Sequence, residues 1–310
     1  MKSLHPTGCM VQPSAMSAKV MIVDDEESIL KGIKLNLGRS FKISLANGSE
    51  EALLNLLPSI PFECEIIIVN NDSPLPKKIK EIRNFFEILN SENKGFGSAC
   101  NIGVKAATKD NVFIVNPDTV FENNTVIKLL ELSEKMPEAS AFTPKILNQK
   151  NSESFKRRSI LLGKNKWLKT PPSKISEIPV MGGAAIFIKK ETFIKVGGFD
   201  EKIFLYHEDD DLSLRLKNEI GPLIYCPDTS IIHVGGSSST RSPKIAKLKG
   251  FHMGRSRVYA MKKHMIKNYR FKCFFLALIQ LFSLQMLFSK RKRFKYFAFY
   301  QGVLTGLKEN

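Results

Sequence analysis

Two short runs of bulky apolar residues constrain this chain most. Residues 65–69, E-I-I-I-V, close on Asn70 and Asn71, and residues 111–115, N-V-F-I-V, close on Asn116-Pro117-Asp118-Thr119. Runs that are short, apolar throughout and bounded by turn-forming residues read as strands buried on both faces, the pattern of a parallel sheet. Between them lie a basic amphipathic segment at 77–89 and N-K-G-F-G-S-A-C-N-I-G-V-K-A-A-T-K at 93–109, a glycine-rich turn leading into a helix. Strands alternating with helices imply an α/β fold with a mostly parallel, doubly wound sheet and ligands at the carboxyl ends of its strands.

At 310 residues the chain can bury one large domain, or one domain with appendages. Its net charge of +17 predicts an anionic partner: nucleic acid, a membrane surface or a phosphorylated substrate. The cations are not interleaved with stacking aromatics, which argues against nucleic acid. The five cysteines are scattered and form no C-x-x-C, so neither a zinc site nor a disulfide framework is indicated, and a reducing cytosol suits them. The first ten residues lack the long apolar core of a signal peptide, and residues 1–17 read as disordered.

Residues 196–215, V-G-G-F-D-E-K-I-F-L-Y-H-E-D-D-D-L-S-L-R, place four successive acids, Glu208 to Asp211, between an aromatic strand signal at 203–206 and a helix. One reading is electrostatic: acids at a helix mouth complement its dipole and cap free N–H groups. The other is chemical, because a carboxylate fixed at a strand-to-helix corner is placed to act as a general base.

Residues 18–53 contain K-V-M-I-V-D-D, an apolar strand ending in Asp24 and Asp25, and continue into a helix with Ile29, Ile33 and Leu37 on one face. This resembles the start of a response-regulator receiver domain. The strand at 65–69 ends in Asn70 and Asn71, so no aspartate stands at that family's phosphoacceptor position. Residues 1–40 are therefore expected to be a receiver-like extension, too small to fold alone.

A second resemblance covers most of the remaining chain. E-I-I-I-V-N-N-D-S, N-K-G-F-G-S-A-C-N-I-G, V-N-P-D-T, G-G-A-A-I-F-I-K-K-E-T-F-I-K-V-G-G-F-D-E, L-Y-H-E-D-D-D-L-S-L-R and I-I-H-V-G-G-S-S occur in that order. Together they resemble a family 2 glycosyltransferase of the GT-A fold, in its bacterial rhamnosyltransferase-like branch. The resemblance implies a catalytic domain at 41–250. It would move a sugar, rhamnose among the candidates, with inversion from a nucleotide-diphosphate sugar to a lipid-linked or polysaccharide acceptor in cell-surface glycan synthesis. It implies Asp209 as the base, with Glu208 orienting acceptor or base, and Asp211 capping the helix or pairing with Arg215 four residues on.

Asp118 matches the last acid of the family's metal motif, with Asn116 in place of the first, and a divalent ion, Mg²⁺ or Mn²⁺, is implied. His233 would complete the metal or diphosphate shell, or be structural. Donor contacts are implied for Asn47, Asn70, Asn93, Gly95, Gly97, Asn101, Asn116, Gly183 and Arg215. The glycines at 95 and 97 equally suit a helix start packed on the sheet, and Gly183 a close strand crossing. Asn70 stands where the family usually has an aspartate. Arg241 and Lys244 would clamp phosphate from a loop. The opening strand of the transferase is either 19–25 or 41–47; spacing to Asn70 favours the latter, which puts Asn47 at the nucleotide. Competing functions are a signalling protein with a degenerate receiver, and an inactive relic binding nucleotide-sugar or lipid.

Residues 251–310 change character. Cations flank the apolar run at 273–288, which is short for a membrane span and interrupted by Gln280, Ser283 and Gln285. It suits an interfacial helix on an anionic membrane surface, with the protein peripheral at the cytoplasmic face, or a core helix packed on the catalytic domain.

Overall fold

The computed structural model describes residues 18–24, 49–71, 74–122, 124–234 and 242–309. The expectations for residues 1–17, for Asn47 and for Arg241 lie outside these. The described strands are β1 (Ala18–Asp24), β2 (Glu65–Asn70), β3 (Phe86–Leu89), β4 (Asn111–Val115), β5 (Thr119–Phe121), β6 (Ala141–Leu147), β7 (Ser176–Ile178), β8 (Ala185–Lys189) and β9 (Leu223–His233). They form one sheet in the order β3-β2-β1-β4-β8-β6-β9-β5, with β7 sharing the outer edge of β9.

The half from β3 to β4 is parallel, as the apolar runs predict. In the other half only β6 and β9 pair in parallel. Here β8 runs antiparallel to β4 and β6, and β5 and β7 run antiparallel to β9. The sheet is therefore mixed, and the expected mostly parallel sheet is corrected. The connections explain it: a short turn leads from β4 to β5, and no helical crossover separates β7 from β8.

The first strand also differs from expectation. β1 lies between β2 and β4, parallel to both, with Asp24 opposite Asn70 and Ile22 opposite Val115. The receiver-like text thus supplies the strand between β2 and β4, and a division at residue 40 would cut through one sheet; the alternative opening strand at 41–47 lies outside the described residues. V-M-I-V is apolar without a break, the pattern of a central parallel strand.

Side chains of β2 and β4 alternate between two cores. On one face Ile66, Ile68, Phe113 and Val115 pack with Leu53, Leu56 and Leu57 of α1 (Ser49–Ser59). The segment at 77–89 divides into α2 (Lys77–Lys80) and the edge strand β3. On the other face Ile67, Val69, Val112 and Ile114 pack with Ala99, Cys100 and Val104 of α3 (Phe96–Ala106). α4 (Thr125–Lys135) joins the first core through Val126 and Leu129. Phe193 of α5 (Lys190–Lys195) joins the second, as do Leu212 and Leu216 of α6 (Glu208–Glu219).

α7 (Pro243–Lys263) crosses the expected boundary at residue 250, so the C-terminal helices begin inside the expected catalytic domain. α8 (Tyr269–Leu281), α9 (Gln285–Phe288) and α10 (Lys290–Glu309) follow. Val258, Met261, Cys273, Ala277, Phe299 and Val303 form a third core that also takes in Leu161 and Ile203. α7 and α10 meet along glycines: a Cβ on Gly302 would lie 1.9 Å from the Phe251 carbonyl oxygen, and one on Gly254 2.3 Å from that of Phe299. Only hydrogen at these positions allows backbone-to-backbone contact.

Candidate active site

The carboxyl end of β4 delivers Asn116, Pro117 and Asp118. Thr119 Oγ donates to the Asn116 carbonyl at 2.8 Å and fixes the turn. The antiparallel register of β5 on β9 then sets Thr119 opposite His233. The result is a cluster of three polar side chains. His233 Nε2 lies 3.0 Å from Asp118 Oδ1 and 3.4 Å from the Asn116 amide nitrogen, and Asp118 is buried. Asn116 and Asp118, two residues apart, thus meet His233 from more than a hundred residues further on.

The acid run lies across a cavity of about 420 Å³, lined by Asn116, Gly183, Glu208, Asp209 and His233 among others. No strand precedes it: residues 203–207 are irregular, which corrects the strand expected there. Tyr206 and His207 take φ of 68° and 71°. Left-handed backbone at two successive side-chain-bearing residues is incompatible with a strand and costs on the order of 1–3 kcal/mol at each. It turns the chain so that Glu208 begins α6 beside the cavity.

The four acids have different surroundings. Asp209 Oδ2 accepts from the Gly183 N–H at 3.0 Å and lies 2.7 Å from Lys156 Nζ. Its Oδ1 accepts from the Asp210 N–H. Asp210 pairs with Lys156 at 3.0 Å and with His207 Nδ1 at 2.9 Å. Burial pushes the Asp210 carboxyl up, but His207 and Lys156 outweigh it and hold it at about 2. Burial likewise opposes ionisation of Asp211, yet His264, Arg215 and Lys263 hold it at about 2. For Lys156, burial favours the neutral amine, and the two aspartates more than reverse this, so its pKa is raised.

Arg215 does not reach the cavity, which corrects its expected place at the donor. Its guanidinium bonds Asp211 and donates to the carbonyls of Val196 and Gly198, both at 2.7 Å. These carbonyls end α5, where Gly198 takes φ of 65°. Asn101 is also structural: it accepts from Phe199 N–H at 2.8 Å and donates to Phe199 O at 2.9 Å. Gly95 and Gly97 make room for the same segment and not for a ligand. A Cβ on Gly95 would meet the Phe204 carbonyl oxygen at 2.2 Å, and one on Gly97 the Phe199 Cβ at 2.8 Å. Asn93 accepts from Gly95 N–H and shapes that turn. Asn70 is buried at the end of β2, outside the cavity lining, and its carbonyl accepts from Asn90 N–H. Lys244 sits on the first turn of α7.

Lys156 was not legible as a site residue. It stands in F-K-R-R, a basic run with no local signal. Only asking which cation offsets the acid run would have singled it out.

Residues 49–197 match the family model described as glycosyl transferase family 2. That stretch, just under half of the chain, is thus similar to family 2 glycosyltransferases. A relative, the N-acetylglucosaminyl-diphospho-decaprenol L-rhamnosyltransferase of Mycobacterium tuberculosis H37Rv, is 28% identical over 181 residues. That match covers 49% of this chain and 59% of the relative, so the chain spans little more than half of that protein's length. Rhamnosyltransferase WbbL of Escherichia coli K12 is 25% identical over 256 residues, covering 74% of this chain and 95% of the relative. The fold is GT-A. The structure of GalNAc-T7 with UDP, GalNAc and Mn²⁺ superposes with a TM-score of 0.56 at 14% identity, covering 96% of this chain and 57% of that one.

Proposed function

We propose that this transferase moves a sugar, with inversion, from a nucleotide-diphosphate sugar to a lipid-linked or polysaccharide acceptor in cell-surface glycan synthesis. The rhamnosyltransferase relatives make rhamnose the first sugar to test. One observation carries the reading: Asp209 and the Asn116–Asp118–His233 cluster line or border the same cavity, at the carboxyl end of β4. Such a cavity is of ordinary size for a small-molecule ligand.

In this reading the acceptor oxygen attacks the anomeric carbon while Asp209 takes its proton. The bond from that carbon to the diphosphate oxygen breaks, and its electron pair leaves with the nucleoside diphosphate. The Gly183 N–H and Lys156 hold the Asp209 carboxylate in one orientation. Asp118 and His233, with Asn116 beside them, suit a divalent ion. Mg²⁺ or Mn²⁺ takes few protein ligands and fills its shell with phosphate oxygens and water. That fits a cluster of one carboxylate, one imidazole and one amide; no group of three His, Cys, Asp or Glu exists among the described residues. When bound, the ion would supply charge stabilisation to the leaving diphosphate.

The exposed side chains of Phe271, Phe275, Ile279 and Phe282 recur along α8 and just past its end, and Leu287 and Phe288 extend them. Lys267, Arg270, Lys272, Lys290, Arg291 and Arg293 surround them in sequence. No described helix is long and apolar enough to cross a membrane. An apolar face rimmed by cations suits docking on an anionic leaflet, so we place the enzyme peripherally at the cytoplasmic membrane face.

The test is a screen of nucleotide-sugars, dTDP-rhamnose first, with Mn²⁺ or Mg²⁺. Asp209→Asn should lose roughly 10²–10⁴-fold in turnover with unchanged nucleotide affinity. Undiminished turnover in that variant would remove the base assignment.

A further inference from the structure

All of the chain's excess charge sits at one end. Residues 229–308 hold seventeen Lys and Arg and no Asp or Glu, while the remaining residues hold thirty of each sign. Glu309, which ends α10, is paired with Arg255 at 2.7 Å.

Part of this charge is gathered at one helix contact. A Cβ on Gly250 of α7 would lie 2.3 Å from the Lys295 carbonyl oxygen, so α7 and α10 touch backbone to backbone there. That contact sets Lys249 beside Lys295. Arg291 and Lys292 stand four and three residues before Lys295 and share its side of α10. Lys249, Lys292 and Lys295 are half-buried, and Arg291 is exposed. Burial favours the neutral Lys295 amine, and Lys292, Arg291 and Lys249 push the same way, so its pKa is lowered. Among the described residues Arg291, Lys292 and Lys295 form no ion pair, and Lys292 lies over the Tyr296 ring, 5.6 Å from its centre. Like charges crowded at a packed contact oppose folding until an anion joins them, and phosphate oxygens suit such a cluster.

The surroundings point to a phosphate at a bilayer. Phe288, Phe294 and Phe297 flank these cations on and just before α10, and all three rings are exposed. Rings interleaved with cations sink below a headgroup plane while the cations stay at it. Four cations on two helices also exceed what a single phosphodiester neutralises.

We propose that Lys249, Arg291, Lys292 and Lys295 form a headgroup site for a glycerophospholipid with paired phosphodiesters. Lys249 also lines the catalytic cavity, so a headgroup held here fixes that cavity at the leaflet surface. The assignment rests on the peripheral-membrane reading above and names the lipid class.

The protein is sedimented with phosphatidylcholine vesicles containing either cardiolipin or phosphatidylglycerol, matched in anionic phosphate at one ionic strength. The expected result is at least fivefold tighter binding to cardiolipin. Lys292→Gln combined with Lys295→Gln removes that preference. Lys267→Gln combined with Lys272→Gln, at the start of α8, weakens binding to both vesicles alike and keeps it. The first variant should melt no lower than wild type, because it relieves repulsion; if it does not fold, Arg291→Gln, at an exposed position, carries the test. Equal binding at matched charge, or a preference that survives Lys292→Gln with Lys295→Gln, overturns the proposal and leaves membrane docking standing. Release of the protein from cardiolipin by an equal concentration of inorganic phosphate assigns the cluster to soluble phosphate and overturns it too. Sedimentation with neither vesicle removes the site and the membrane reading together.

Discussion

Replacing Asp211 by asparagine should destabilise this protein severely. The Asp211 side chain is fully buried and receives Arg215 Nε at 2.9 Å and Nη2 at 2.8 Å, Lys263 Nζ at 2.8 Å and His264 Nε2 at 2.7 Å. It joins α6 to α7 and anchors the arginine that holds the end of α5. Its carboxyl moves from 3.8 to about 2 on folding. Nearly two units at about 1.4 kcal/mol per unit gives roughly 2–3 kcal/mol for the charged over the neutral form. Asparagine also takes from Arg215 its carboxylate, while Lys263 keeps Asp200 at 2.6 Å, and breaking a buried pair costs about 3–5 kcal/mol. For a chain of this size, about 2–5 kcal/mol lowers the melting temperature by ~5–20 °C. Glu177→Gln serves as the control. Its 2.6 Å pair with Lys217 is similarly short but half-exposed, and exposed pairs contribute at most about 1 kcal/mol.

The pH dependence supplies a second check. The folded pKa lies below the unfolded one, so the contribution is fully present above ~pH 4 and is lost as pH falls toward ~2. Thermal melts of wild type and Asp211→Asn should therefore converge as pH drops below ~4. A variant melting within ~1 °C of wild type at ~pH 7 would refute the reasoning, as would a gap indifferent to acid.

Two further outcomes are expected. Gly302→Ala should cost about 1–3 kcal/mol or more by overpacking, because its Cβ would fall 1.9 Å from the Phe251 carbonyl oxygen, where no side chain can yield; an unchanged denaturation midpoint would show that α7 and α10 sit further apart. Phe282→Ser combined with Phe288→Ser should reduce sedimentation with anionic phosphatidylglycerol vesicles at least tenfold without moving the melting temperature, since both rings are 86% exposed. Equal sedimentation would place membrane contact elsewhere.

Much of this fold was legible because its strongest signals are local. The apolar runs at 65–69 and 111–115 needed no partner to be recognised, nor did the glycines that end α5 or the Asp211–Arg215 pair one helical turn apart. What was misread depends on distant neighbours. Phe199 and Phe204, roughly a hundred residues downstream, decide why positions 95 and 97 must lack a side chain. Asn101 and Arg215 are polar for the sake of backbone groups at 196–199, and nothing near them in sequence says so. The aromatic residues at 203–206 have the composition of a strand, but the left-handed turn at Tyr206 and His207 overrides it. Lys156 meets its aspartates across more than fifty residues of chain.

The position of β1 bears on how this protein should be handled as well as how it is read. The family match begins at residue 49, and trimming to that limit would look conservative. It would delete a strand that is hydrogen-bonded on both sides and leave the parallel edges of β2 and β4 facing a gap. Two unsatisfied strand edges, apolar on both faces, are a template for intermolecular pairing. Such a fragment should precipitate on expression, and the loss would be mistaken for an inactive enzyme when the fault is one missing strand of the nine described.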